Sequence, residues 1–479
     1  MKRMRHYSVL SLLIAGCHSF DPANGPQPVY NVTPAATETT PVDATKSIFP
    51  LARYSQESDK WLPPAAVGYN TSVIDAATQQ RHFAALKARY FGTGEKDRSP
   101  WNPLYIDKII ATHAARDAIN HVADTYLTSS AKSYGLNFRE LPQSWKDAVK
   151  ANITVSITDE SAGRSIAVRE TLLRALPTSD PAFDDPGRAG QGYPFDNLQV
   201  SAIRAGTPLY TLATSKDRAW QYIVSPTLMG WVKSDDVATV DEMFVTRWRG
   251  LAQQQLASAV REPVSVATEN RFYFIARPGT ILPLQQQNGQ PRIAVPVKTA
   301  DGKAEISWVN TEQQDFAPMP LPMTPANIAR LIKSMQGKPY GWGQFNFYND
   351  CSAEMRSLMM PFGLFLPRDS SEQAASGRVV DVSKLSPAAR LDYLAKNGRP
   401  FTTLIHIDGH IMLYIGNTEL DGKLVPMTYQ NMWGLHTQSH EGRSIIGGAV
   451  FFPLLTHYPE DKDLTSLAAK PLFALTFIE

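Results

Sequence analysis

Apolar residues fall at helical spacing in some parts of this chain and alternate with polar ones in others, and the order of the two textures lays out the architecture. Ile119, Val122, Ala123, Tyr126 and Leu127 share one helix face, and HFAALKARYF at 82–91 has the same period, so residues 51–152 read as a helical or mixed N-terminal domain. From 153 to about 320 the texture becomes short β-branched and aromatic runs broken by Gly, Pro and Asp, as in small β-barrels. A weak internal repeat divides that region at about residue 240. AGTPLYTL at 205–212 returns as PGTILPLQ at 278–285, and GWVKSDDVA at 230–238 as SWVNTEQ at 307–313. Trp220, Trp231 and Trp308 read as barrel core.

The last segment, 321–479, mixes both textures. Thr324 can cap a helix with Pro325 in its first turn, Ile328, Leu331, Ile332 and Met335 on its apolar face, and Gly337 as its stop. Asn349 or Asp350 can cap a second helix that buries Met355, Leu358, Met359 and Phe362. TTLIHIDGHIMLYIGN at 402–417 predicts two strands around the Asp408-Gly409 turn, and VPMTYQNMWG at 425–434 a third. The fold class is therefore α+β.

Composition adds limits. With 43% hydrophobic, 10% aromatic and 19% charged residues, the 479-residue chain has material for several cores. A formal charge of +2 and no basic stripe argue against nucleic acid as a partner. The N-terminus MKRMRHYSVLSLLIAGC has a basic start and an apolar stretch too short to span a membrane. Ile14-Ala15-Gly16-Cys17 resembles the lipobox of bacterial lipoproteins, which makes 1–17 a signal peptide, Cys17 the lipidation site and a lipid anchor the membrane contact. Six prolines among Thr, Ala and Asn make 18–50 a tether. A lipidated Cys17 leaves Cys351 with no disulfide partner in an oxidising compartment.

Cys351 in the first turn of its helix sits where unpaired amides and the helix dipole favour a thiolate, and the same amides can hold an oxyanion. The alternative is a small buried hydrophobe. His410, at the start of a strand, is the candidate base. A hairpin centred on residue 420 puts Gln430 opposite it; centring on Asp421-Gly422 slides the partner to about Trp433. His113 and His121 read as fillers, and His436 and His440 have metal-pair spacing only on a helix, which is not expected after Trp433-Gly434. Arg368 reads as structural, tying down a loop. No metal or other cofactor is called for.

Pro339-Tyr340-Gly341-Trp342-Gly343, Asp350-Cys351-Ser352, GLFLPRDSSEQ at 363–373 and GHIMLYIG at 409–416 resemble, in order, the motifs of the NlpC/P60 cysteine peptidases. The match covers roughly 320–450. It implies a papain-like catalytic domain at 321–479, and the turn-strand phrases upstream resemble SH3-like domains at 153–240 and 241–320. The whole arrangement resembles the multidomain branch of γ-D-glutamyl-L-diamino acid endopeptidases acting on cell-wall peptides.

Carried over, the resemblance implies Cys351 as nucleophile, His410 as base and then acid, and Gln430 as orienting residue, with His436 in reserve for that role. Tyr340 would assist at the oxyanion site, and Asp350 and Ser352 would bind the substrate amine. The loop YPFDNLQ at 193–199 would wall the groove, with Asp196 as a further carboxylate. Gln344 and Ala353 stand where glycines are usual, and Gln430 where His is more frequent. The expectation is a hydrolase of peptidoglycan stem peptides, preferring those with a free N-terminal L-Ala, on the periplasmic side of a bacterial envelope membrane. Two rivals stand beside it: an inactive lipid-anchored wall-binding protein and a Cys/His acyltransferase.

Overall fold

The structure, a computed structural model, describes residues 46–153 and 163–479. The lipobox with Cys17 and the tether up to residue 45 lie outside the described residues. No helix among the described residues is long and apolar enough to cross a membrane.

Helix Ala76–Phe91 starts where the Asp75 carboxylate accepts from the Thr78 amide. Further on, Ala114–Ala123 runs directly into a π turn at Asp124–Thr128, and of the expected face Ile119 and Leu127 are buried while Val122, Ala123 and Tyr126 are partly buried. These helices share their cores with the barrels. Phe83, Leu86, Tyr90 and Trp101 pack with Trp248, Leu256 and Leu282, while Ile106, Ile109 and Ile119 pack with Leu212, Trp220 and Trp231. Burial of such large side chains contributes roughly 1.5–3 kcal/mol each, and here that gain is shared between modules.

The first barrel is a seven-stranded sheet in the order Gln199–Ile203, Thr171–Arg174, Met229–Lys233, Trp220–Val224, Pro208–Thr214, Gly163–Ala167, Val237–Thr239. Helix Glu242–Gln254, capped by Asp241, leads to the second, with a five-stranded sheet and the hairpin Val264–Thr268/Arg271–Ala276. The sequence repeat has a structural cause. Gly206 (φ +79°) and Gly279 (φ +93°) make the same left-handed turn before strands Pro208–Thr214 and Ile281–Gln287. Trp220 and Trp231 are core, whereas Trp308 is only partly buried and carries the Arg292 guanidinium 4.4 Å above its ring.

The last segment is built on a seven-stranded sheet in the order Lys46–Ile48, Arg443–Pro453, Lys423–His436, His410–Leu420, Thr403–Ile407, Phe473–Phe477, Arg378–Asp381. Its first strand, at the end of the expected tether, runs parallel to Arg443–Ile445. Alternation sends Ile411, Leu413 and Ile415 toward helices Pro325–Met335 and Cys351–Met359. Met412 and Tyr414 go toward helix Pro387–Asn397.

A polar seam joins the first barrel to the segment just before Cys351. Gln199 Nε2 donates to the Gly343 carbonyl at 2.8 Å, and Gln344 Oε1 accepts from Ser201 Oγ and the Ala202 amide, each at 3.1 Å. Gly343 lies at φ +59°, and a Cβ there would stand 2.1 Å from the Gln199 carbonyl oxygen. Because the obstacle is backbone, Gly343→Ala is expected to lower unfolding free energy by about 2–4 kcal/mol. Denaturant unfolding checks this, and a loss below about 0.5 kcal/mol would mean the seam yields.

Candidate active site

Helix Cys351–Met359 begins at Asp350, whose Oδ1 accepts from the Ala353 amide at 2.9 Å. The thiol lies in the first turn, as expected, and is 7% exposed. Its ionisation differs from the expectation. Burial pushes the Cys351 pKa up to about 12, the Asp350 charge adds to the rise, and the Ile411 amide, Arg368 and the Ser352 amide only oppose it. A helix N-terminus favours thiolate, but desolvation and an adjacent carboxylate outweigh it here. Cys351 therefore rests as a thiol.

The amide that opposes this rise belongs to Ile411, the residue after His410. His410 is half-buried, and its ring Nε2 lies 2.7 Å from Gln430 Oε1. The register behind this contact differs from the one first expected. The turn centres on Asp421-Gly422, and a bulge between Tyr414 and Gly416 shifts the ladder so that Leu413 pairs with Tyr429. Continuing that register puts Gln430 across from Met412, one diagonal step from His410 on the same face. The long Gln side chain covers the step.

Hydrogen-bond accounting then fixes the tautomer. Thr428 Oγ1 donates its one proton to the Phe452 carbonyl at 2.7 Å, so it accepts from Gln430 Nε2, also at 2.7 Å. Gln430 thus turns its oxygen to the imidazole, which must donate from Nε2 and keep Nδ1 unprotonated. Burial presses the His410 pKa down to about 4, with the Gln430 bond opposing. The resting pair is thiol and neutral imidazole.

Asp350 is engaged on both oxygens. Oδ1 accepts from Ser352 Oγ (3.2 Å) and Arg368 Nη1 (3.1 Å), and Oδ2 from the Gly343 amide (3.0 Å) and Arg368 Nη2. Arg368 also donates to Ser352 Oγ at 2.8 Å and, from Nε, to Ser201 Oγ of the first barrel at 2.9 Å. Asp350 is therefore a cap and an ion-pair partner, and its carboxylate is already paired before any substrate amine arrives. Asp196 is in the same position: it is fully buried, paired with Arg174, and accepts from the Ala182 and Leu198 amides. It braces its own loop.

That loop does reach the site, through aromatics. Phe195 packs on Tyr340 (6.4 Å between centroids), Trp342 (5.4 Å) and Trp433 (6.2 Å), and Tyr193 on Phe345 and Trp433. Tyr340 is buried, and burial, then Cys351 and Asp350, holds its phenol well above the ordinary tyrosine range. It remains a neutral donor beside the thiol. Sequence reasoning missed Trp433 as a wall residue, because only the fold brings it to the loop.

Glu354 was missed too. It lies one helical turn after Cys351, 1% exposed, and accepts from Tyr429 Oη, Asn349 Nδ2 (2.9 Å) and Asn431 Nδ2 (3.3 Å). Tyr429 and Asn431 flank Gln430, so Glu354 ties the Cys351 helix to the strand that orients His410. Burial raises its pKa to about 7 against those bonds. The available signal was an acid wedged between Ala353 and Met355 on a helix face otherwise apolar. The reserve residue His436 pairs in register with Arg443, and its ring lies 5.3 Å from that of His440. Among the described residues no group of three or more His, Cys, Asp or Glu is placed to hold a metal.

Family models match two stretches: an SH3 domain of SH3b1 type at residues 181–233 and an SH3 domain of SH3b2 type at 241–288. Comparison with curated proteins finds no match. Among solved structures, an NlpC/P60 endopeptidase from Photobacterium damselae subsp. piscicida is similar at TM-score 0.79 and 25% identity, over 91% of this chain and 99% of that one. A Bacillus cereus NlpC/P60 family protein aligns at TM-score 0.42 and 15% identity, over 64% and 98%. Two SH3b-type domain matches and a fold that follows an NlpC/P60 endopeptidase across nearly its whole length make the chain similar to SH3-containing NlpC/P60 proteins.

Proposed function

We propose that this protein is a cysteine peptidase that hydrolyses peptidoglycan peptides at the bond between γ-D-glutamate and an L-diamino acid, with Cys351 as nucleophile. The observation that supports the reading is a thiol against the Ile411 amide, one residue after His410, whose imidazole bonds to Gln430 through one nitrogen and keeps the other free. As the substrate carbonyl is attacked, the Cys351 proton passes to His410 Nδ1, and the S–C bond forms. The Cys351 amide and the Tyr340 hydroxyl receive the oxyanion. His410 then protonates the leaving amine, and water, deprotonated by the same nitrogen, releases the acid. The Gln430 oxygen accepts from Nε2 throughout and stabilises the transient imidazolium.

Since Asp350 and Asp196 are already paired with arginines, a free L-Ala amine would meet aromatic faces, chiefly the exposed Tyr193 and Trp342. In this reading Ser352, bonded to both Asp350 and Arg368, acts by shaping the helix start. Cys17 would hold the protein by lipid to the periplasmic side of an envelope membrane.

The deciding assay follows diaminopimelate release from L-Ala-γ-D-Glu-diaminopimelate by the native protein and by Cys351→Ala. Native turnover with complete loss in the variant is expected; equal rates would remove the mechanism. No release from any wall peptide would favour the wall-binding reading, and product joined to an added amine would favour acyl transfer. N-acetylating the L-Ala is expected to reduce kcat/KM, and an unchanged value would remove the amine preference.

The lowered His410 pKa gives a sign for pH dependence. The base must be neutral, so kcat/KM rises as pH passes upward through the free-enzyme imidazole pKa, here near 4 and not the ordinary value of about 6.5. Activity is expected to persist near pH 5.5, and a limb at about 6.5 or above would contradict the buried-imidazole account. Arg368→Met leaves Asp350 as an unpaired buried carboxylate, with an expected loss of about 3–5 kcal/mol in unfolding free energy. Arg368→Met combined with Asp350→Asn is expected to recover most of that loss, measured by denaturant unfolding; no recovery would place the loss outside the pair.

A further inference from the structure

Behind the catalytic helix four parts of the chain meet around one cavity of about 30 Å³. Arg204 comes from the first barrel, Gly279 from the turn that opens a strand of the second, Tyr90 from helix Ala76–Phe91, and Arg356 and Ser357 from the helix headed by Cys351. One water needs roughly 10–15 Å³ of such space, so there is room for about two waters or one small ion, and none for an organic ligand.

The charges around the cavity do not balance. Glu170 bridges Arg204 and Arg277, and Glu262 Oε1 lies 3.4 Å from Arg277 Nε. Arg356 has no ion-pair partner among the described residues, and its buried Nε has no acceptor. Arg89 lies nearby but carries its own acidic neighbour, Glu372. Glu354, two residues before Arg356, is engaged by Tyr429, Asn349 and Asn431, and apart from it three guanidiniums face two carboxylates. Burial, then Arg277 and, past the opposing Glu262, Arg356 draw the Arg204 pKa down to about 9, the mark of cations crowded in a low-dielectric space.

A positive charge without a counter-ion in such a setting costs several kcal/mol, and a halide-sized anion can offset that cost while accepting N–H bonds from both arginines. We propose that this cavity is a binding site for one small monovalent inorganic anion, chloride or its like, clasped between Arg204 and Arg356 where the modules join. The anion would fix the register between the first barrel and the catalytic helix, since Arg356 rides on that helix and Arg204 follows the strand that carries Ser201.

The test uses the full chain and simple salts. Thermal unfolding is followed while sodium chloride or sodium bromide replaces sodium gluconate at constant ionic strength. A saturating rise of about 2 °C or more is expected with either halide, and Arg356→Met is expected to abolish it. Crystals grown or soaked in bromide are expected to show an anomalous peak between Arg204 and Arg356. Equal unfolding temperatures in halide and gluconate would overturn the proposal, as would an undiminished halide response in a folded Arg356→Met protein. If that variant does not fold, the bromide peak in the native protein decides, and its absence refutes the site.

Discussion

The Asp350–Arg368 ion pair is closed off from solvent on both sides, and the geometry around Cys351 hangs on it. Removing two charges from water is costly, and the cost is met only when every lone pair and N–H finds a partner. Here they do. Asp350 takes two backbone amides, one on each side of Cys351 in sequence, and Arg368 continues to Ser352 and Ser201. One bidentate contact therefore sets the start of the catalytic helix, the loop that precedes it and the distance to the first barrel. A hydrophobic pair of similar volume could pack as well but could not impose direction on four neighbours at once.

The same pair explains why the Cys351 thiol rests protonated. An anion one residue before the thiol disfavours a second anion, and the guanidinium only partly compensates. Under the proposed mechanism, a neutral thiol with a neutral base separates recognition from ionisation, because the charge pair would form only as the attacked carbonyl takes up negative charge at the Cys351 amide. A buried neutral thiol is also protected chemically, because oxidants react far faster with thiolate.

Much of this was legible wherever the determining interaction is local. The caps at Thr324 and Asp350 follow from side chains three residues from the amides they bind. The strand faces follow from alternation between Ile411 and Ile415. The His410–Gln430 pairing was named correctly from a register that was off by two in its sum, because a bulge at Ile415, beside Gly416 at φ +121°, is invisible to a ladder drawn with a ruler. Asp196 misled for the opposite reason. An acid in a rich loop looks available until Arg174, twenty-two positions earlier, is placed against it. Glu354, Trp433 and Arg356 depend wholly on partners from distant segments, which spacing along one chain cannot reveal.

The barrels, finally, do not behave as modules on strings. Helices of the N-terminal region complete the apolar cores of both, and the first barrel supplies hydrogen bonds to Gly343, Gln344 and Arg368, all within one layer of the thiol. Gln344, standing where a glycine is usual, extends this contact: a glycine has no side-chain amide to reach Ser201, Ala202 and Asn349 together. The departure from the family pattern is thus compensated inside this chain, with lost backbone freedom at φ +63° exchanged for a fixed wall. A wall fixed to the helix start can present Tyr193 and Phe195 at constant distance from Cys351, and a groove of constant length is a simple way for one enzyme to measure a short peptide.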